Sequence, residues 1–238
     1  MRLLDLTLPT PEENLALDEA LLAEAEDAAP RETLRLWEAN APLVVIGRSS
    51  QAASEVRVDE CRARSIPVLR RSSGGAAIVT GPGCLMYAVV LSLQRRPALC
   101  AIDLAHRFVL ERIAAALRER GIAAEHRGTS DLAVGDQKFS GNSLRMRRDH
   151  LLYHGTLLYD FPIELIATCL AAPPRQPKYR DGRDHDVFVT NLPISSSELR
   201  RAVIGAWPID EPSGEWPRER VAALVAEKYS RTQWNTGR

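Results

Sequence analysis

Apolar and polar positions along the chain switch between two periods, and the switches mark out the elements. After Thr10-Pro11-Glu12-Glu13, residues Leu17, Ala20, Leu21 and Glu24 follow helical spacing. Thr10 can cap this helix, Pro11 fits its first position and Glu13 completes a capping box, and the polar face is rich in acids. Period-2 alternation then takes over. Leu34 and Leu36 alternate with Arg35 and Trp37 in a strand over 33–38, and the apolar run Leu43-Val44-Val45-Ile46 predicts a buried strand ending at Gly47. Ser54 is expected to cap a short helix reaching Arg64, and a strand over 66–70 runs into Ser72-Ser73-Gly74-Gly75. Strands over 77–79 and 85–93 follow, separated by Gly81-Pro82-Gly83. The longest helix covers 103–120, with Phe108, Val109, Ile113, Ala116 and Leu117 on its apolar face and Gly121 as its stop. Segments 131–134, 137–146 and 151–159 form a meander with Gly135-Asp136 as a tight turn. Helices over 162–171, ended by Pro173-Pro174, and over 196–206 and 217–229 complete the pattern. Helices inserted among antiparallel hairpins predict an α+β fold, with a mixed, largely antiparallel sheet and flanking helices.

Composition narrows the class. The 238 residues are 45% hydrophobic and 26% charged, which suits a single domain and excludes a disordered tail, a collagen-like fibre or a disulfide scaffold. Thirty-one basic residues balance 31 acidic ones, so no nucleic-acid or membrane partner is expected. The four cysteines show no C-x-x-C spacing, and no Cys/His cluster suggests zinc or another metal site. The amino terminus lacks a basic stretch followed by an apolar one. The longest largely apolar run, 84–93, is shorter than the ~20 residues a spanning helix needs. A reducing cytoplasm with free thiols is the expectation. Lysine occurs three times, at 138, 178 and 228, among 31 basic residues, so a lysine flanked by turn residues draws attention.

Three segments could carry chemistry. In Arg70-Arg71-Ser72-Ser73-Gly74-Gly75-Ala76-Ala77, the glycines let backbone N–H groups approach an anion and the arginines supply forked donors; a plain turn with solvated arginines is the alternative. No Gly-Lys-Ser/Thr follows, so the segment is not a Walker loop. In Asp131 to Asn142, Lys138 begins a strand after a hairpin turn and Gly141 interrupts that strand, as at a bulge or a close backbone approach; an exposed hairpin lysine is the alternative. In Tyr153-His154-Gly155-Thr156, a lone histidine in an apolar strand is either structural or a base. Cys84 and Cys169 are candidate nucleophiles, with an inert buried thiol the better expectation for Cys169.

In this order the segments resemble the lipoate–protein ligase family, which shares its catalytic fold with biotin protein ligases and octanoyltransferases. The resemblance runs nearly end to end. It covers Asn14 to Ala20, Leu36-Trp37, Val45 to Arg48, the Arg70–Gly75 loop, Asp131-Leu132, Lys138 with Ser140-Gly141, His154 to Leu158, Thr190-Asn191-Leu192, Tyr229 and Trp234-Asn235. It implies the biotin/lipoate ligase catalytic-domain fold over 1–238, without the small carboxy-terminal accessory domain of many ligases. It also implies activation of lipoate or octanoate by ATP, with Mg2+, to acyl-AMP, and transfer to a lysine of a lipoyl-domain or H-protein-type acceptor. By the same resemblance, Lys138 contacts the acyl carbonyl and the α-phosphate. Arg71 and the loop Ser73, Gly74, Gly75, Ala76 hold the nucleotide, with Ala77, Ile78, Val79, Asp131, Ser140, Gly141, His154 and Thr156 completing the acyl-adenylate site.

The chain departs from the family at Ala76, where a third loop glycine is usual, and at Thr80-Gly81, where His-Asp is usual. Its Gly81-Pro82-Gly83 turn is similar to the octanoyltransferase branch, so transfer from a preloaded donor through Cys84 or Cys169 is the alternative activity. A non-catalytic acceptor-binding relative is a third reading, and a separate accessory polypeptide is a further expected partner. An acidic acceptor would meet Arg145, Arg147, Arg148, Lys178, Arg180 and Arg183.

Overall fold

The computed structural model describes residues 1–27, 31–172 and 176–237, with the side chain of Glu211 left aside. In chain order the elements are β1 (Arg2–Asp5), α1 (Pro11–Asp27), β2 (Thr33–Trp37), β3 (Leu43–Ile46), α2 (Ala52–Glu55), α3 (Val58–Ala63), β4 (Val68–Arg70), β5 (Ile78–Thr80) and β6 (Cys84–Ser92). They continue through α4 (Ile102–Arg118), β7 (Ala124–Arg127), β8 (Asp131–Val134), β9 (Gln137–Met146), β10 (His150–Leu158), α5 (Glu164–Cys169), α6 (His185–Phe188), α7 (Ser196–Gly205), β11 (Glu211–Pro212), α8 (Arg218–Leu224) and α9 (Thr232–Asn235). A π-helical turn, Val225–Tyr229, follows α8.

Among the described residues, eight strands make one sheet in the order β11-β1-β2-β6-β10-β9-β8-β7, and three make a second in the order β4-β3-β5. The large sheet is antiparallel from β2 through β7, while β1 runs parallel to β2 and to β11. This is the mixed, largely antiparallel α+β arrangement the hairpins predict.

Strand β6 shows why the core has two halves. Cys84, Met86, Ala88 and Val90 point into a core shared with α1 and the small sheet; Leu85, Tyr87, Val89 and Leu91 point into a second core under α4 and α7. Both faces of this central strand are covered, so its sequence is apolar at every turn of the pleat. Strand β10 alternates likewise, and puts His154 and Thr156 on the face turned towards α1 and the small sheet, opposite to Tyr153 and Leu157. That face carries the site.

The expected capping box is present. Glu13 N–H donates to Thr10 Oγ1 at 3.2 Å, and the Thr10 N–H and hydroxyl both donate to the Glu13 carboxylate at 2.9 Å. Such a cap contributes about 1 kcal/mol. Three local expectations differ. Ser54 does not cap a helix to Arg64: it lies within α2, its hydroxyl donates to Gln51 O, and Val56 is drawn extended by a bridge to Leu170 before α3 starts. Strand β4 begins at Val68, because Pro67 has no N–H for the ladder. Strand β5 begins at Ile78, because Ala77 N–H donates to the Glu55 carboxylate instead of a neighbouring strand.

Two acids of α1, Asp18 and Glu19, are buried against cations from other elements, while Glu12, Glu13, Glu24, Glu26 and Asp27 keep contact with solvent. The pair Pro173-Pro174, expected to stop α5, lies outside the described residues.

Candidate active site

The loop from Arg70 to Ala77 joins two strands of the small sheet and is held from behind at nearly every residue. Arg71 is buried and turns back on its own loop: Nη2 donates to Gly74 O at 2.6 Å and Ala76 O at 2.9 Å, Nε to Gly74 O at 3.1 Å, and Nη1 to Val45 O at 3.0 Å. Burial pulls its pKa down to about 10, with the charge of Glu55 acting in the opposite direction. Gly75 takes φ +85°, and a side chain there would strike Arg71 Nη2 at 2.8 Å. Gly47 leaves room for the loop, since a Cβ there would sit 1.9 Å from Gly75 O. Only glycine permits this curl.

Ser73 lies one layer back. Its hydroxyl is 2.6 Å from His154 Nε2, whose Nδ1 is 3.0 Å from Asp18 Oδ2. Asp18 Oδ1 accepts from the fully buried Arg35 at 2.6 Å. Burial alone would raise the Asp18 pKa, but Arg35 and His154 outweigh it and hold the carboxyl below its usual range. His154 is therefore engaged at both nitrogens and supports the loop.

Lys138 sits in the register shift between β8 and β9. Its Nζ is 2.7 Å from Asp131 Oδ1, and Tyr179 OH donates to Asp131 Oδ2 at 2.9 Å. The ammonium passes directly over Gly141, where a Cβ would lie 3.1 Å from Nζ. Gly141 N–H donates to Thr156 Oγ1 at 3.2 Å, tying β9 to β10 beneath the lysine. Asn142 braces the same corner: its Nδ2 donates to Ser130 O and Ser140 Oγ, and its Oδ1 accepts from Tyr87 OH. Lys138 is partly exposed, so its charge is available to a ligand while its direction is set by Asp131.

Two cavities meet at this lysine. The first is bounded by Ala76, Ala77, Ile78, Val79, Ser140 and Thr156, with Phe139, Ile166, Leu170 and Phe188 as apolar walls. The second, the roomier of the two, is bounded by Arg71, Gly75, Asp131 and His154, with Leu15, Val45 and Met86 on its apolar side. Lys138, Gly141, Ala76, Ala77 and Ile78 belong to both. Of the residues expected at the site, Ser73 and Gly74 support the wall from behind; the others apart from the cysteines line one cavity or both.

The cysteines do not join them. Cys84 is fully buried and burial pushes its thiol up to about 12; Cys169 is buried and raised for the same reason. Neither lines a cavity wall around Lys138, so both lack the thiolate and the access a nucleophile needs. The basic surface is also reduced. Arg145 pairs with Glu19 and Arg148 with Asp149; Arg180 is buried, donating to Arg183 O; and Arg183 donates to Tyr179 O. Arg147, Arg148 and Lys178 are exposed. Among the described residues no group of three His, Cys, Asp or Glu side chains could hold a metal ion, and no helix is long and apolar enough to cross a membrane.

Several site residues escape a sequence reading. Asp18, Arg35, Asn142 and Tyr179 come from four separate elements or turns and meet only on folding. Met86 and Leu15 look like ordinary core residues. A polar Asp18 and a charged Arg35 inside otherwise apolar runs were the available signal.

The comparisons give the family and the fold. Residues 10–201 match the lipoyl protein ligase A/B catalytic domain. Among solved structures, a bipartite lipoate protein ligase from Thermoplasma acidophilum, described with its E2 lipoyl domain, superposes with a TM-score of 0.84 at 26% identity, covering 99% of this chain and 96% of that one. A lipoate–protein ligase A bound with ATP gives 0.80 at 25% identity, covering 99% and 98%. An octanoyltransferase from Carboxydothermus hydrogenoformans is 26% identical over 93% of both chains. The chain spans between 45% and 71% of the length of five curated proteins described as lipoate–protein ligases. The match over most of its length, on a fold whose two cavities converge on one lysine, makes this chain a member of the lipoyl protein ligase A/B catalytic-domain family.

Proposed function

We propose that this protein activates lipoate, or octanoate, with ATP to acyl-AMP and passes the acyl group to a lysine of a lipoyl-domain or H-protein-type acceptor. One observation carries the reading: two largely apolar cavities share the Lys138 side chain and Gly141 beneath its Nζ. The second cavity, with Leu15, Val45 and Met86, suits an acyl tail. The first is bordered by β5, an edge strand of the small sheet, whose backbone offers the alternating donors and acceptors that a purine edge can match, and Phe188 offers an apolar face. A carboxylate and an α-phosphate arriving from the two sides would face each other at the lysine.

Both reactants are anions, so the barrier is chiefly electrostatic and positional. Lys138, held by Asp131, neutralises the two as a carboxylate oxygen attacks the α-phosphorus and pyrophosphate departs. In the second half the acceptor's amine attacks the acyl carbon, AMP leaves, and the amine gives up a proton. Arg71 orders the loop more than it reaches for a phosphate, because most of its donors already hold carbonyls. Mg2+ would offset phosphate charge, and Asp131 on the wall of the second cavity is the carboxylate that would hold it, in exchange for part of its contact with Lys138 or Tyr179.

The residues so assigned fall within one catalytic domain, and a separate accessory polypeptide would act on it in trans. Free thiols suit a reducing cytoplasm. A thioester route is disfavoured by the burial of Cys84 and Cys169. Octanoate-dependent exchange of pyrophosphate into ATP tests the proposal. Lys138→Ala should lower it by about 10²-fold or more with an unchanged far-UV spectrum; full activity in that variant sinks the assignment.

A further inference from the structure

Residues 228–235 grip the fold at two places, Arg70 at the start of the substrate loop and Glu19 of α1, each one residue away from a group that holds the loop. The first grip is on Arg70. Asn235 Oδ1 accepts from Arg70 N–H at 3.0 Å, the Trp234 indole N–H donates to Arg70 O at 2.9 Å, and Trp234 O accepts from Arg70 Nε at 2.8 Å. Arg70 is the end of β4, an outer strand of the small sheet, so α9 supplies the partners that a neighbouring strand would otherwise give. The same guanidinium then reaches Gly47 O and Ser50 O, both at 2.7 Å, under the loop. Arg71, the next residue, bends the loop by holding Gly74 O and Ala76 O.

The second grip is on Glu19. Its carboxylate accepts from Lys228 Nζ at 2.6 Å and Tyr229 OH at 2.7 Å, and from Arg145 of β9 at 2.6 Å. Glu19 adjoins Asp18, which orients His154 against Ser73 of the loop. Within the segment, Asn235 Nδ2 donates to Tyr229 O, and the Lys228 ammonium lies 4.1 Å from the centre of the Trp234 ring, so the two grips form one unit.

We propose that residues 228–235 are a positioning clamp for the loop 70–77, with Trp234 and Asn235 acting through Arg70, and Lys228 and Tyr229 through Glu19. This rests on the reading of that loop as a wall of the substrate site. The clamp touches no cavity around Lys138; it sets the fraction of molecules whose loop is already curled for substrate. Loosening it lowers the competent fraction, which raises the apparent dissociation constant in proportion, while saturating substrate restores the curl.

The full-length chain tests this with three variants. Asn235→Ala removes both side-chain bonds. Asn235→Asp keeps an acceptor for Arg70 N–H and loses the donor to Tyr229 O. Trp234→Phe keeps a ring beside Lys228 and removes the N–H. In Asn235→Ala the KM for octanoate should rise about tenfold with kcat within about twofold, and amides of 70–77 should exchange with deuterium about tenfold faster while β6 and β10 stay unchanged. Asn235→Asp should restore most of the KM. Trp234→Phe should shift KM in the same direction by a smaller factor, and supports the proposal alone if Asn235→Ala does not fold. A KM within twofold of the parent in the folded variants overturns the clamp, as does exchange that accelerates equally in β6 and β10. A parent protein that forms no acyl-AMP would refute the proposed function, and the exchange comparison would still decide the clamp.

Discussion

At the scale of single residues, burial decides what each group can do. Lys138 and Lys228 are both lysines beside carboxylates, yet they have different consequences. Lys138 faces the junction of two cavities and is partly exposed, so its charge can transfer from Asp131 to an arriving anion. Lys228 is bound to Glu19 and stacked over Trp234, and burial lowers its pKa against the pull of that carboxylate. Lys138 stands out in the sequence as a rare lysine beside a turn and Lys228 does not; their surroundings are what separate the two. The thiols make the complementary case. Cys84 and Cys169 are expected to resist alkylation in the native protein, and treatment with iodoacetamide should leave adenylation within about twofold, because a thiol raised this far presents little thiolate near neutral pH. Loss of activity in step with labelling of Cys84, followed by mass spectrometry, would revive the thioester route.

At the scale of elements, the site depends on strands approaching more closely than side chains allow. Gly155 on β10 faces Asn142 on β9, and a Cβ at 155 would lie 1.7 Å from Asn142 Oδ1. Asn142 bridges to Ser130 O beside Asp131 and to Ser140 Oγ beside Gly141. Gly155→Ala should therefore displace Asn142, cost about 1–3 kcal/mol of stability and reduce adenylation more than its thermal midpoint shift would suggest. An alanine variant with parental activity would show that Asn142 does not brace Lys138. The Gly141 and Gly155 positions were visible in the sequence as glycines inside strands. Their use was not, since it depends on which strand lies opposite and in what register.

At the scale of the whole molecule, two buried acids of α1 anchor distant parts of the chain. Asp18 and Glu19 would be raised by burial, but Arg35 and His154 in one case and Lys228, Tyr229 and Arg145 in the other lower both below their usual values. A carboxyl depressed on folding contributes stability that is complete above its unfolded pKa and is lost as pH falls through its folded one. The stability curve should thus be flat down to about pH 4.5 from these groups and decline below it. Glu19→Gln is expected to cost about 2–3 kcal/mol at pH 7, with the difference from the parent narrowing towards pH 3. Urea melts at several pH values measure this, and a difference that stays constant from pH 7 to pH 3.5 would remove Glu19 from the acid-sensitive set.

The sequence by itself determined the local pieces: the Thr10–Glu13 cap, the long α4 helix, the β8–β9–β10 meander and the two segments that carry Arg71 and Lys138. Each is set by interactions within a few residues, through periodicity, capping and turn chemistry, and such signals survive in one dimension. The short strands β1, β7 and β11 were not predicted, because two to four residues carry too little alternation to stand out and gain their pairing from the sheet. Only the tertiary structure decided that Asp18 and Glu19 of α1 are buried, that Arg145 and Arg180 serve the interior and that Cys84 and Cys169 are shut away from the cavities. It also decided that the chain's last turns hold the loop at Arg70. The pairings of Asp18, Glu19, Arg145 and Arg70 join residues from 17 to 210 positions apart, and the charge or reactivity of a side chain is set by what it meets, which linear spacing does not contain.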